Sequence, residues 1–260
     1  MSEAAARVTE QIVRWLQEKA AEAGALGIVV GLSGGIDAAV TAALAKRAFP
    51  DTTLGVIMPC HSDPADEADA RLFADHAGVP VLRVDLTPLY DAMVQQLARA
   101  WQEAGLGREP LVDEAADNPR MKMALANLKP RLRMATLYYV ANRFNYLVAG
   151  TSNRSELFVG YFTKHGDGGA DLLPIGNLVK AQVYELARYL GVPEVIIRRT
   201  PSAGLWPGQT DESEMGVTYA VLDHYILTGE APAEVRERIE HLHRSSEHKR
   251  QRPPIAPVSW

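Results

Sequence analysis

The fold is decided near the N-terminus by Gly27-Ile28-Val29-Val30-Gly31-Leu32-Ser33-Gly34-Gly35-Ile36-Asp37. The apolar, branched run at 27–32 is typical of a strand buried on both faces of a parallel sheet. Two adjacent glycines follow, and then a helical pattern begins. A turn from a buried strand into a helix presents unpaired backbone N–H groups and a positive dipole end to an anion. The stretch therefore predicts a phosphate-binding turn at the carboxyl end of the first strand.

The same strand–helix pattern repeats through the first half of the chain. Apolar runs predict three further strands, at 54–58, 79–84 and 145–149. Helical periodicity predicts helices between and before the strands, at 12–20, 38–48, 63–77 and 119–143. This alternation is typical of a doubly wound α/β fold, in which a parallel sheet is flanked by helices and ligands bind at the carboxyl ends of the strands.

The second half has a different character. A glycine-rich, polar stretch at 160–176 and a turn-rich stretch at 200–211 show no regular period and predict functional loops. Helical patterns at 179–190, 215–227 and 232–246 surround them. No internal repeat or linker is visible, so we expect a single domain spanning residues 1–260.

Composition limits the class of protein. The net charge of -5 and pI of about 5.8 argue against a nucleic-acid partner. A single cysteine, Cys60, excludes an intrachain disulfide and a cysteine metal cluster. The N-terminal residues lack a signal-peptide pattern, and no apolar run reaches the length of about 18 residues that a membrane helix needs. We expect a soluble cytoplasmic protein with no membrane partner.

The glycine turn carries groups suited to a nucleotide. Ser33 adds a hydroxyl donor, and the carboxylate of Asp37 is a suitable ligand for the Mg²⁺ of a polyphosphate. Neither the dinucleotide-binding nor the P-loop glycine fingerprint is present. The competing interpretation is a plain structural turn, but the added polar groups favour phosphate binding.

This Ser-Gly-Gly-x-Asp turn resembles the pyrophosphate-binding loop of the ATP pyrophosphatase superfamily, whose members transfer AMP from ATP to an acceptor oxygen. The resemblance implies the adenine-nucleotide hydrolase type of α/β fold. The usual pattern continues with Ser or Thr, whereas this chain has Ala38. A hydroxyl bonded to a phosphate oxygen is worth about 1.5–3 kcal/mol. Ala38 therefore leaves three possibilities open: a slower enzyme, a compensated enzyme or an inactive nucleotide-binding relative.

Five later segments resemble the ammonia-dependent NAD synthetases in order and spacing: 127–134, 150–156, 160–171, 201–212 and 246–250. The resemblance implies ATP-dependent amidation of deamido-NAD through an adenylated intermediate, with Mg²⁺ as cofactor. It also implies a homodimer with the dinucleotide near the subunit interface. Glutamine-dependent relatives carry an amidase domain for which this sequence has no room, so ammonia is the expected nitrogen source.

The resemblance also implies roles for individual residues. ATP would be bound by Gly31, Leu32, Ser33, Gly34, Gly35, Ile36, Asp37, Ala38, Thr151, Lys180 and Ser202. Deamido-NAD would be bound by Arg131, Lys164, Asp171, His248 and Lys249. Asp37 and Glu156 would hold Mg²⁺, Lys180 would stabilise charge on the phosphates, and Asp167 would accept a proton from ammonium.

Several other features are assigned structural roles. The acidic residues at 63–69 predict a solvated helix face, and Arg133 predicts an ordinary surface salt bridge. Three histidines near the C-terminus do not have metal-ligand spacing. Pro130 and Gly204 depart from the family pattern, which often has Ala and Asp there. The remaining rivals are a tRNA-modifying or nucleotide-amidating enzyme of the same superfamily and a paralogue without catalysis.

Overall fold

The computed structural model describes residues 3–105, 118–206 and 208–258. Four strands in these residues form one parallel sheet in the order β3-β2-β1-β4. Their bounds are β1 Gly27–Gly31, β2 Thr53–Ile57, β3 Val81–Arg83 and β4 Tyr146–Ala149. The predicted parallel α/β fold is confirmed, and each strand lies within two residues of its predicted position.

The helices cover both faces of the sheet. In chain order they are α1 Glu3–Ala23, α2 Ile36–Ala48, α3 Pro64–Ala77, α4 Thr87–Glu103, α5 Pro119–Phe144, α6 Arg154–Val159, α7 Lys180–Leu190, α8 Glu194–Ile197, α9 Asp211–Met215, α10 Tyr219–Thr228, α11 Ala233–Ser245 and α12 Glu247–Arg250. Within the described ranges, no helix is long and apolar enough to cross a membrane.

Strand β1 is buried on both sides because successive side chains point to opposite faces of a sheet. Ile28 and Val30 pack into the apolar layer that also contains residues of α1, α2 and α7. Val29 packs into the opposite layer with residues of α4 and α5. All three side chains have no exposed surface, as the uninterrupted apolar run predicts.

A third apolar cluster lies beyond the sheet. It joins α6, α9, α10 and α11 through buried residues such as Leu222 and Ile239. Helices α10 and α11 of this cluster pack against α6, the helix that follows β4. The helix predicted at 215–227 is divided there, because Gly216 has a φ of 69° and ends α9 in a left-handed conformation.

The direction of chain winding reverses between β1 and β4. From β1 the chain moves outward to β2 and β3, and it then returns to place β4 on the other side of β1. Ligands in open α/β sheets bind at such a switch point, outside the carboxyl ends of the strands. The turns after β1 and β4 therefore face one crevice. The first is the Ser-Gly-Gly-x-Asp turn, and the second contains the segment 150–156, one of the five on which the family resemblance rests.

Candidate active site

The turn after β1 is shaped for close approach of an anion. Gly35 caps α2 without a side-chain hydrogen bond, so the first-turn N–H groups of the helix point into the crevice. Gly34 has a φ of 82°, and a Cβ there would collide with the carbonyl oxygen of Asp66 in the first turn of α3. Glycine is therefore required at this position both by the backbone conformation and by the neighbouring helix.

Three charged side chains meet at the switch point. The Nζ of Lys180 lies 2.5 Å from Oδ2 of Asp37 and 3.8 Å from Oε1 of Glu156. Asp37 stands in the first turn of α2, Glu156 in the first turn of α6, and Lys180 begins α7. The lysine side chain is 2% exposed, so this is a buried cluster and not a surface ion pair. The structure thus brings together both predicted metal ligands and the predicted phosphate lysine.

Asn153 connects the two carboxylates and was not singled out from the sequence. Its Nδ2 donates to Oδ1 of Asp37 at 3.0 Å. Its Oδ1 accepts the backbone N–H of Glu156, while Oε2 of Glu156 accepts the backbone N–H of Asn153. This reciprocal pair is a capping box, and the Asn-x-x-Glu spacing at the start of α6 is its sequence signature.

A second layer of buried polar groups supports Glu156. The hydroxyl of Tyr219 lies 2.8 Å from Oδ2 of Asp211 and 3.3 Å from Oε1 of Glu156. Asp211 is 4% exposed, and its Oδ1 has no hydrogen-bond partner among the described residues. The layer ties α9 and α10 to the charged cluster.

The cluster has two carboxylates in direct contact with one ammonium. Burial, reinforced by the charge of Asp37, raises the pKa of Glu156 well above its usual range. Burial opposes the charged form of Lys180, but the carboxylates of Asp37 and Glu156 outweigh it and raise the pKa of the lysine. Lys180 is therefore an ammonium, and Glu156 lacks a full positive counter-charge. The excess of carboxylates over ammonium groups favours binding of a further cation at this site.

The predicted dinucleotide-binding residues form a second group, here called the dinucleotide end: Arg131, Lys164, Asp171, His248 and Lys249. Lys164 Nζ donates to the carbonyl oxygen of His248 at 2.7 Å, and Arg131 donates to that of Lys164 at 3.4 Å. Lys249 Nζ donates to two carbonyl oxygens of the loop after α6, at 2.7 and 2.8 Å. The short helix α12 is thus fastened to that loop.

Two aspartates of the same loop have separate partners. Asp171 accepts the hydroxyl of Tyr138 at 3.1 Å and the backbone N–H of Val148 at 2.8 Å, which anchors the loop to β4. Asp167 accepts the backbone N–H of Thr163 at 2.9 Å. The stretch 160–176 contains no helix or strand, as predicted, and it is ordered by these local bonds.

Two predicted ATP contacts stand apart from the charged cluster. Ser202 Oγ accepts the backbone N–H of Gly204 within its own turn at 3.1 Å. Thr151 is half-buried directly after β4. Among the described residues, neither side chain has a hydrogen bond to Asp37, Glu156 or Lys180.

The acidic face of α3 is not simply solvated, which corrects the interpretation from the sequence. Arg199 forms ion pairs with Asp66 and Asp69, and Glu67 pairs with arginines at 71 and 83. Asp63 caps the helix by accepting the N–H of Ala65. The sequence could not show the pairs of Arg199, because this residue lies 130 residues from Asp69.

Arg133 also differs from its prediction. It makes no salt bridge within the described residues and instead donates to the carbonyl oxygen of Met58 at 3.1 Å and to Ser62 Oγ at 3.2 Å. Helix α5 continues through Pro130, which is buried and lies next to Gly166. Arg131 therefore stays on a regular helix despite the proline.

A parallel α/β fold with a glycine turn, a buried lysine and two acids at its switch point defines a nucleotide-binding enzyme that handles phosphate charge. Comparison with known proteins gives the family. The sequence profile described as NAD synthase matches residues 8–253. The chain belongs to the NAD synthase family.

Full-length relatives agree with that assignment. The NH(3)-dependent NAD(+) synthetase of Carboxydothermus hydrogenoformans is 55% identical over 95% of this chain and 96% of its own. That of Methanocaldococcus jannaschii is 41% identical over 96% of both chains. The prediction from the sequence that this chain is an NAD synthetase, a ligase that forms an amide at the expense of ATP, is confirmed. Nothing in these comparisons favours a relative that has lost catalysis.

Solved structures share the whole fold. The NMN synthetase of Francisella tularensis superimposes with a TM-score of 0.87 at 37% identity, covering 98% of this chain and 99% of that chain. The NH3-dependent NAD synthetase of Campylobacter jejuni superimposes with a TM-score of 0.74 at 28% identity, with the same coverage.

Proposed function

We propose that this chain amidates deamido-NAD with ammonia. We propose also that Asp37, Glu156 and Lys180 form the site that activates ATP, here called the ATP centre. The nicotinic acid carboxylate attacks the α-phosphorus of ATP, and the bond from that phosphorus to pyrophosphate breaks. The nitrogen of ammonia then attacks the acyl carbon of the adenylate, and AMP leaves with the bonding electron pair. The products are NAD, AMP and pyrophosphate.

The observation that carries this proposal is the buried Lys180 at the mouth of the glycine turn. Its ammonium is held in place by Asp37 at 2.5 Å and is aimed at the same crevice as the first-turn N–H groups of α2. Fixed donors that face developing negative charge stabilise a transition state without reorganising. Backbone and lysine together would hold the phosphate oxygens while the α-phosphorus is attacked.

The same cluster fits Mg²⁺. Mg²⁺ is usually bound by one or two carboxylates together with substrate phosphates and water, and not by an all-protein cage. Asp37 and Glu156 supply two carboxylates, and no group of three or more metal-ligating side chains occurs in the described ranges. Bound with ATP, the ion would neutralise phosphate charge and balance Glu156.

The dinucleotide end would bind deamido-NAD. Lys164, Lys249 and Arg131 would exchange neutral carbonyl partners for phosphate or carboxylate oxygens, since charge-assisted hydrogen bonds are stronger. Asp171 and His248 would contact the same substrate. Asp167, which lies in the loop between these groups, is the candidate base that takes the proton from ammonium.

The magnesium requirement tests the proposed centre. We expect Glu156→Gln to raise the Mg²⁺ concentration needed for half-maximal NAD formation by about tenfold, since one charged ligand is lost. Glu185→Gln, at an exposed position of α7, is the matched control. An unchanged Mg²⁺ dependence in Glu156→Gln would remove the glutamate from the metal site.

We also propose that the enzyme is a homodimer and that α4 lies in its interface. Leu89, Met93, Leu97 and Trp101 recur every four residues on this helix, and each is more than two-fifths exposed. A continuous exposed apolar row marks a contact surface. Leu97→Asp should shift the mass measured by light scattering toward the monomer, whereas Leu227→Asp, at an exposed leucine of α10, should not.

A second candidate substrate is nicotinic acid mononucleotide, whose amidation gives NMN. The structural likeness to the Francisella tularensis NMN synthetase supports it. Both substrates carry the same reacting carboxylate, so the adenylation chemistry is unchanged. Measuring kcat/KM for both substrates in one assay decides which of them this chain prefers. Because both reactions consume ATP, we propose that the enzyme acts in the cytoplasm.

A further inference from the structure

Two cations of α5 have no role in the chemistry described so far. Lys129 and Arg133 are four residues apart, so their side chains lie on the same face of the helix. Lys129 is 8% exposed, and Arg133 is partly buried. Both lie in the segment 127–134 that carries part of the family resemblance, but only the neighbouring Arg131 was assigned to a ligand.

Within the described residues, neither cation is in an ion pair or a hydrogen bond with a carboxylate. Lys129 Nζ donates to the carbonyl oxygen of Leu205 at 2.8 Å, and Arg133 donates to Met58 and Ser62. Across residues 3–105, 118–206 and 208–258, no ion pair includes either side chain. The nearest aromatic contact of Lys129 is the ring of Tyr90, 5.8 Å from its Nζ.

Keeping two unpaired cations in a partly buried position is costly for the folded protein. A buried charge is tolerated when it is paired, and an unpaired one shifts toward its neutral form. Burial lowers the pKa of Lys129 and of Arg133, and the charge of Arg133 lowers that of Lys129 further. The charges of Asp167 and Asp66 oppose burial at Arg133 but do not outweigh it. Such a pair is stabilised when an anion binds between its members.

The position of the pair favours ATP as the source of that anion. Met58 follows β2, whose carboxyl end adjoins the glycine turn after β1. Leu205 belongs to the segment that carries Ser202, and the neighbouring Gly204 faces the carboxylate of Asp66. The backbone of Asp66 in turn contacts Gly34 of the glycine turn. Both cations are thus bonded to segments that border the phosphate-binding turn.

We propose that Lys129 and Arg133 form an anion subsite that binds a phosphate group of ATP and of the adenylate made from it. Each supplies at least one N–H group beyond those used by its carbonyl partner, since an ammonium has three donors and a guanidinium five. Helix α5, which carries both cations, packs in the apolar layer opposite to that of α7, which carries Lys180. This inference rests on the proposed ATP centre.

Three substitutions of Lys129 distinguish the effect of its charge from the effect of its hydrogen bond to Leu205. Lys129→Gln keeps a donor for the Leu205 carbonyl but removes the charge, Lys129→Met removes both, and Lys129→Arg restores the charge. We expect both neutral variants to raise the KM for ATP about 10- to 100-fold, with recovery in Lys129→Arg. Arg133→Gln should raise it similarly. Arg120→Met, at an exposed position of the same helix, should leave it unchanged.

A purely structural role predicts a different result. If Lys129 only fastens Leu205, Lys129→Gln will match the unaltered protein and only Lys129→Met will be impaired, which overturns the proposal. A rise in the KM for deamido-NAD instead of ATP overturns the choice of ATP. Because Glu156→Gln tests the metal centre in the same assay, failure of the proposed ATP centre is seen separately.

Product binding identifies the phosphate group. Inhibition by AMP and by pyrophosphate is measured for the unaltered protein and for Lys129→Gln. A loss of affinity for AMP assigns the subsite to the α-phosphate, and a loss for pyrophosphate assigns it to the outer phosphates. Unchanged inhibition by both compounds refutes an anion subsite here. Thermal unfolding without ligand gives an independent readout, because Lys129→Met should be at least as stable as the unaltered protein.

Discussion

The ATP centre and the dinucleotide end hold their cations in different ways. At the ATP centre, Lys180 is bonded to the carboxylate of Asp37 and is almost fully buried. At the dinucleotide end, the hydrogen bonds of Lys164 and Lys249 within the described residues all go to backbone carbonyl oxygens. A carbonyl oxygen carries no net charge, so an arriving anion replaces it at little cost. The first group is preformed by the sheet, whereas the second can change partners when substrate binds.

The contrast follows from where the residues stand in the fold. Asp37 and Glu156 occupy the first turns of the helices that follow the neighbouring strands β1 and β4, and Lys180 begins α7, which packs on α2. The packed sheet and helices therefore fix their separation. The lysines of the dinucleotide end belong to a loop and to the four-residue helix α12. Loops held by a few local bonds open at lower free energy than a packed core. We therefore expect substitutions to affect catalysis at the first group and binding at the second.

The largest effect is expected from Lys180→Met. Removing the ammonium should lower kcat for NAD formation by about 10²–10³-fold, since a fixed donor to developing charge is lost. It also leaves the half-buried carboxylates of Asp37 and Glu156 without their cation, so the variant should be less stable as well. Single-turnover release of AMP measures the chemical step.

Binding at the dinucleotide end distinguishes a loss of catalysis from a loss of folding in Lys180→Met. Binding of deamido-NAD to Lys180→Met should remain close to normal, because Lys164 and Lys249 are unaffected. Lys46→Met, in the last turn of α2, is the control for removal of a lysine. If Lys180→Met still releases AMP at the normal rate, the ATP centre lies elsewhere.

The next largest effect is expected from Lys249→Met. This change should raise the KM for deamido-NAD by about 10- to 100-fold through loss of a charge-assisted bond. The KM for ATP should change by less than about twofold, because no hydrogen bond or ion pair in the described part of the chain joins α12 to the charged cluster. Arg252→Met removes an exposed cation nearby and serves as the control. Equal losses for both substrates would mean that the two groups are not independent.

The sequence predicted β1, the glycine turn and α2 better than their surroundings, for a physical reason. A buried parallel strand and a glycine turn are local patterns, so β1, α2 and the position of Asp37 could be read directly. Helix α4 was not predicted, although its apolar row at every fourth residue is visible afterwards. The pairing of Arg199 with α3 and the carbonyl partners of Lys129 depend on tertiary contacts between distant segments, which periodicity does not encode.

The dinucleotide end could be predicted only through resemblance to a family. Nothing in the pattern of residues 160–171 or 246–250 indicates that they touch, yet Lys249 is bonded to the loop after α6. Asn153 makes one contact that the sequence could predict and one that it could not. Its capping box with Glu156 is a local signature, whereas its bond to Asp37 required the sheet to bring β1 and β4 together.

A smaller effect is expected from Ala38→Ser, which restores the hydroxyl usual at this position of the superfamily. Ala38 is 3% exposed in the first turn of α2, next to the proposed phosphate position. A new hydroxyl bonded to a phosphate oxygen should raise kcat/KM for ATP by about tenfold. Ala38→Cys is the control of similar size with a weak donor. A serine variant no faster than the natural chain would show that other donors already compensate for the alanine.

The smallest expected effect concerns the free energy of unfolding, which should depend on the charge of Glu156. Because burial and Asp37 raise the pKa of Glu156, the folded chain holds this proton more tightly than the unfolded chain does. Ionisation therefore disfavours folding, and the free energy of unfolding falls as pH rises from the usual glutamate range through the folded-state pKa. Glu156→Gln cannot ionise and should lose this part of the pH dependence.

At pH 8 without ligands, Glu156→Gln should therefore gain of the order of 1 kcal/mol, or about 2–4 °C in Tm. With Mg²⁺ and ATP added, the natural chain should be more stable than Glu156→Gln, because ligand binding to the folded state stabilises the natural chain more than the variant. The exposed Glu185→Gln should follow the natural chain under both conditions. A ligand-free Glu156→Gln that is less stable at pH 8 would show that the glutamate stabilises the fold. The predicted reversal would instead show that the carboxylate of Glu156 binds a cation that arrives with the substrate.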